Sequence, residues 1–223
     1  MYSFKENSML AFDSVLDFKS YYRELNFYNG WTITMEKNNM RGEKIKDRTY
    51  VQHIRKLFME KRLFRRNISI AEIVSLLDSY SIMMRVISEL ETMIEAERLN
   101  RVKMYSEYKI YFSKNRRIDF ILEYGKRLLL VEFRVSFTFP NLSSMWQKKE
   151  NELLFYKELL GNYIPDYYKI HLFAFIAMPE YDNSFWLPKH VKYNKDNVRF
   201  FAEYIKAFLL DQEDCKDNNM DCA

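Results

Sequence analysis

The stretch RIDFILEYGKRLLLVEFRV, residues 117–135, constrains this chain more than any other. Two runs of β-forming residues are interrupted for only two positions, Gly125 and Lys126, which predicts a β-hairpin. Glycine in the first loop position suits a type II′ turn. Tyr124 then pairs with Arg127, and the same register carried outward sets Asp119 opposite Glu132 and Arg117 opposite Arg134. The run LLLVEF is almost continuously apolar, so its strand is expected to be covered on both faces.

An aspartate facing a glutamate in such strands needs an explanation. Like charges directly opposed across a strand pair are destabilising, and an ionised carboxylate in an apolar setting is costly without compensation. Three arrangements answer this. One carboxyl is protonated; or each is neutralised by an arginine, with Arg117 and Arg134 at hand; or a divalent cation sits between them, since Mg²⁺ favours one or two carboxylates plus waters.

The flanking sequence predicts the elements around the hairpin. Residues 81–99, SIMMRVISELETMIEAERL, carry Met83, Val86, Ile87, Leu90 and Ile94 at helical spacing. MYSEYKIYF, 104–112, reads as a strand ahead of the hairpin. A helix follows it, with Ser143 or Ser144 as N-cap and Gly161 as C-cap. YYKIHLFAFIAM between Pro165 and Pro179 reads as a central strand, and residues 198–211 as a closing helix. The expected fold is α/β: a central mixed β-sheet of about four strands flanked by helices, with a mainly helical N-terminal extension.

Helix, strand, strand carrying Asp, strand carrying Glu-x-Lys, helix, strand is a layout that resembles the PD-(D/E)XK nuclease superfamily, in particular its RecB-like branch. The matching residues are Asp119 in RIDF, Glu132 and Arg134 in VEFR, and Lys149 and Tyr156 in KENELLFYKELL, where Glu152 stands at the usual Gln. The resemblance covers roughly residues 80–212 and implies a restriction-endonuclease-like core. It implies Mg²⁺-dependent hydrolysis of DNA phosphodiesters, with Mn²⁺ as a substitute and RNA as a second possible substrate. Asp119, Glu132 and the backbone carbonyl of Phe133 would hold the metal, which activates a water and stabilises charge on the phosphate. The third motif position would stabilise developing negative charge. Arg134 replaces lysine there; it keeps the charge but stays protonated, which excludes a general-base role. An upstream helix often adds a further acid, and Glu91 is the residue taken for it, because it borders the apolar face through Ile87 and Ile94.

Composition sets the remaining bounds. A chain of 223 residues is large enough for a full core with an extension. With four Gly and four Pro, no long flexible linker is evident. No run of eighteen apolar residues exists and the first ten residues lack a signal-peptide layout, so a cytoplasmic protein without membrane attachment is expected. Cys215 and Cys222 are too few for a zinc site or disulfide framework. Residues 36–66 hold eleven Lys or Arg against four acids. Their YVQHIRKLFMEKRLFRR segment predicts a basic amphipathic helix, either a solvated face or a phosphate-binding stripe. Arg55, Lys61, Arg62, Arg65, Arg66, Lys148 and Lys149 are the expected nucleic-acid contacts. The domain expectation is a basic extension over 1–79, a core over 80–212 and an acidic disordered tail over 213–223. Two alternatives stand beside the nuclease reading: a catalytically weakened relative that binds nucleic acid or a partner protein within a larger complex, and a structural module whose paired acids are salt-bridged.

Overall fold

The structure, a computed structural model, describes residues 3–25, 31, 33, 36–60, 68–110, 116–135, 142–178, 184–186 and 197–211. The elements in chain order are α1 (Phe4–Asn7), β1 (Leu10–Phe12), α2 (Val15–Leu25), α3 (Asn38–Ile45), α4 (Thr49–Glu60) and α5 (Ile70–Leu90). They continue with α6 (Ala96–Leu99), β2 (Lys103–Lys109), β3 (Arg117–Tyr124), β4 (Arg127–Val135), α7 (Leu142–Gly161), β5 (Lys169–Met178), β6 (Ser184–Trp186) and α8 (Asn197–Leu210).

The strands form one six-stranded sheet in the order β1-β2-β3-β4-β5-β6. Every neighbouring pair is antiparallel except β4 and β5, which run parallel with α7 as their crossover. The mixed sheet flanked by helices is the expected class. The two strands beyond the expected four are the edge strands β1 and β6, each only three residues long, too short to leave a periodic pattern in the sequence.

The hairpin has the expected register over its inner five pairs, while the expected Asp119–Glu132 and Arg117–Arg134 pairs are not part of the ladder. Tyr124 pairs with Arg127, and pairing runs outward to Phe120 opposite Val131. Gly125 takes φ +58, while Lys126 is not in the left-handed region, as a turn with glycine first requires.

Helix α5 corrects the expectation over 81–99. It starts at Ile70, eleven residues earlier, because Ser69 and Glu72 form a reciprocal capping box: the Glu72 amide donates to Ser69 Oγ at 3.2 Å, and the Ser69 amide donates to Glu72 Oε2 at 2.9 Å. It stops at Leu90, a turn follows, and Ala96–Leu99 is a separate helix. The boundary expected between residues 79 and 80 thus falls inside α5. Helix α7 begins at Leu142, so Ser143 and Ser144 lie within it instead of capping it.

Two apolar layers cover the sheet. Phe120, Leu122, Leu129, Val131 and Phe133 pack with α5 and α8; Phe173 and Phe201 stack there with centroids 4.1 Å apart. On the other face Ile121, Leu128 and Leu130 meet Trp146, Leu153, Tyr156 and Leu160 of α7. Each such side chain contributes about 1.5–3 kcal/mol on full burial. The N-terminal helices share the first layer: Phe18, Val51 and Ile54 belong to the same cluster as α5. They are fixed there by a buried polar contact, in which Asp78 of α5 accepts from both Arg41 terminal nitrogens, at 2.8 and 2.7 Å, and from Trp31 Nε1 at 2.7 Å. Among the described residues no helix is long and apolar enough to cross a membrane.

Candidate functional site

The sheet changes character at Asp119. In β2, Met104 faces the α5 layer and Tyr105 the α7 layer, as alternation demands, yet Tyr108 and Ile110 both face the α7 layer. In β3, Ile118 and Ile121 face α7 while Phe120 and Leu122 face α5. Both slips occur at the same step, where Glu107 lies between the pairs Ser106–Phe120 and Tyr108–Ile118. Glu107 has φ +50, a left-handed conformation that is rare for a residue other than glycine and costs of order 1–3 kcal/mol. This kink turns Glu107 and Asp119 into the space between α5 and α7.

The ladder between β3 and β4 gives way at the same place. Past Phe120 and Val131, the Asp119 carboxylate Oδ2 accepts the Phe133 amide proton at 2.7 Å, and the Asp119 amide donates to Glu132 Oε1 at 3.3 Å. Side chains thereby replace backbone partners. No described residue donates to Asp119 Oδ1.

Helix α7 supplies the cation. Trp146, Lys149, Leu153, Tyr156 and Leu160 follow one another at three- and four-residue spacing, so Lys149 occupies a position on the buried stripe of the helix. Its Nζ donates to Glu132 Oε2, and it lies 2.9 Å from Glu152 Oε2. Tyr156, on the same stripe, donates its hydroxyl to Glu152 Oε1 at 2.8 Å. Opposite α7, Arg117 lies 3.0 Å from Glu107 Oε2 and 3.3 Å from Glu72 Oε1.

The result is a cleft of about 250 Å³ lined by five carboxylates (Glu72, Glu107, Asp119, Glu132, Glu152) and three cations (Arg116, Arg117, Lys149), with Ser75, Ser79 and Tyr156. The excess of negative charge shows in the titration of the group. Burial pushes Glu107 up to about 7 against the pull of Arg117, helped by Asp119 and Glu72. Burial also raises Asp119, opposed by Lys149 and the Phe133 hydrogen bond. Glu132 is raised well above the usual carboxylate range by burial and by the Asp119 charge. Lys149 is raised as well: burial disfavours its charge, but Glu132, Asp119 and Glu152 together hold the ammonium protonated more firmly than usual. Glu152 is depressed despite burial, through Lys149 and the Tyr156 hydroxyl.

Among the described residues, no group of three or more His, Cys, Asp or Glu side chains stands in metal-ligating geometry. The donor chemistry nevertheless fits a hard divalent cation. Mg²⁺ needs only one or two protein carboxylates and completes its shell with water, and the cleft holds surplus buried carboxylate charge. Asp119 and Glu132 are the residues that would hold it. Phe133 is engaged through its amide N–H, which donates to Asp119.

The other expected residues fall in several places. Glu152, Tyr156 and Lys149 line the cleft with Asp119 and Glu132. Arg134 does not: it is exposed, aligned with Ile176 of β5, two residues past Glu132, and Lys149 is the cation in contact with the Glu132 carboxylate. Nor does Glu91, which sits at the opposite end of α5 and pairs with Lys19. The α5 acid in the cleft is Glu72, and its signature, Ser-x-x-Glu ahead of an apolar run, was present at residues 69–72. Glu107 was missed, because nothing in SEYK announces a left-handed glutamate. Arg55 is half-buried on α4 and Lys148 exposed on α7. Lys61, Arg62, Arg65 and Arg66 lie outside the described residues, as does the 213–223 tail.

No protein-family model matches this chain, and a search of curated proteins returns no match.

Proposed function

We propose that this chain is a PD-(D/E)XK-like, divalent-metal-dependent nuclease that hydrolyses DNA phosphodiester bonds in the cleft around Asp119 and Glu132. The observation that carries the reading is the opened ladder step. Two acidic side chains and one lysine converge where β3 and β4 part, and the carboxylates outnumber the cations.

That charge balance bears on mechanism. A phosphodiester is an anion, and a cleft whose carboxyl groups outnumber its cations by five to three disfavours it. A bound Mg²⁺ would supply the Lewis-acid stabilisation and the activated water. Asp119, Glu132 and the Phe133 carbonyl would hold the cation, and the Phe133 amide fixes the orientation of Asp119. Lys149, kept protonated by its surroundings, stabilises the charge that develops on the phosphate as the P–O bond breaks, a role assigned by position to Lys149 in place of Arg134. Tyr156 orients Glu152, which in turn holds the Lys149 ammonium. Arg116 and Arg117 meet the phosphate at the rim, where planar guanidinium forks suit its oxygens.

A second reading is favoured by the direct contact between Lys149 and Glu132, which neutralises the glutamate without any metal. In that reading the cleft is a structural ion-pair network in a nucleic-acid- or protein-binding module. Incubating purified protein with supercoiled and linear DNA in Mg²⁺, in Mn²⁺ and in EDTA separates the two. Metal-dependent cutting that EDTA abolishes supports the nuclease; intact DNA under all three conditions favours the binding module.

A further inference from the structure

The rim of the cleft carries a side chain that the fold does not require. Phe155 neighbours Tyr156 on α7, but Phe155 is 37% exposed where Tyr156 is 1% exposed. It follows Glu152 by three residues, so the two are neighbours on the helix surface. The guanidinium carbon of Arg116 lies 4.7 Å from the Phe155 ring centroid. The same arginine lines the cleft and contributes to the stabilisation of ionised Glu152. One guanidinium therefore reaches from the acidic floor of the cleft to an exposed aromatic ring, and Leu154 beside it is exposed as well.

We propose that Phe155 and Arg116 form a binding step for one unpaired nucleotide, with the base stacked on the Phe155 ring and its phosphate held by Arg116 as the strand enters the cleft. This inference rests on the phosphodiester reading of the cleft and adds a substrate class to it. Aromatic rings take any base by its π-face, and guanidinium binds phosphate through parallel N–H donors. Inside a duplex each base is already stacked on its neighbours, so an interior base offers no face to Phe155. Single strands, overhangs and frayed ends do.

The test is binding of fluorescently labelled oligonucleotides to the full chain, with Ca²⁺ replacing Mg²⁺. The probes are a single strand, a strand of the same length whose sugars lack bases, and a blunt duplex; the proteins are wild type, Phe155→Ala and Phe155→Trp. Wild type is expected to bind the normal strand on the order of tenfold more tightly than the base-free strand, and more tightly than the blunt duplex. Phe155→Ala should lose that preference and Phe155→Trp should keep it, with unchanged melting temperatures. Base-independent binding by wild type, or a preference retained in Phe155→Ala, overturns the stacking step alone. Wild type that binds none of the three probes overturns the cleft reading and this inference with it.

Discussion

The Phe133 amide donates to the Asp119 carboxylate at 2.7 Å, so a side-chain oxygen stands where the neighbouring strand would otherwise offer a carbonyl. The contact has separable electrostatic and hydrogen-bonding parts. In Asp119→Asn the amide oxygen still accepts the Phe133 proton, and the repulsion on Glu132 is relieved. That variant should melt no lower than wild type and should not cut DNA. Asp119→Ala leaves a buried N–H without its acceptor and should lose about 1–3 kcal/mol. Thermal melts and plasmid nicking of both variants check this; an Asp119→Asn protein that cuts at the wild-type rate removes Asp119 from the site.

Lys149 and Arg134 are expected to behave in opposite ways. Lys149→Met strands Glu132, which is 2% exposed, and should cost about 3–5 kcal/mol at pH 8. The double variant Lys149→Met/Glu132→Gln should recover most of that stability. In catalysis, loss of a charge-stabilising group typically costs about 10²–10³ in rate, which is the deficit expected of Lys149→Ala measured where it remains folded. Arg134→Ala, outside the cleft, should cut within about twofold of wild type. The reverse ranking would return the catalytic cation to β4.

Glu107 makes stability depend on pH. Its ordinary value of 4.5 is raised to about 7 by burial. Below pH 4.5 the folded and unfolded chains are both protonated here. Between about 4.5 and 7 the unfolded chain has released this proton while the folded chain retains it, so stability falls as pH rises, by up to about 1.4 kcal/mol per pH unit. Above about 7 the loss is complete. Asp119 and Glu132, also raised, act in the same direction. Urea unfolding in EDTA between pH 5 and 8 should show Glu107→Gln gaining on wild type as pH rises; a constant difference between them would contradict the assignment.

The hairpin was legible because its cause is local. A Gly-Lys break between two apolar runs fixes the turn and the register as far as Phe120 and Val131; the expected pairing of Asp119 with Glu132 is replaced by contacts through their side chains. Lys149 entered through the family resemblance, and its place on the buried stripe of Trp146, Leu153, Tyr156 and Leu160 is a finding of the structure. Arg134 and Glu91 were placed in the site by motif position and helical face alone, and neither lines the cleft. Motif spacing says which strand carries a cation, but depth along the strand decides whether it reaches the carboxylates. The missed elements have tertiary causes. β1 becomes a strand by pairing with β2 across more than ninety residues of sequence, and Glu107 turns inward through a backbone conformation that no propensity favours.

Calorimetric titration of Mg²⁺ and Mn²⁺ into metal-free protein asks whether Asp119 and Glu132 hold a divalent cation. Wild type should bind one ion with a midpoint that weakens as pH falls and the cleft carboxyls take up protons. Mg²⁺ should likewise raise the melting temperature of wild type and leave that of Asp119→Asn unchanged. Equal binding and equal thermal shifts in wild type and Asp119→Asn would show that Asp119 does not hold the cation.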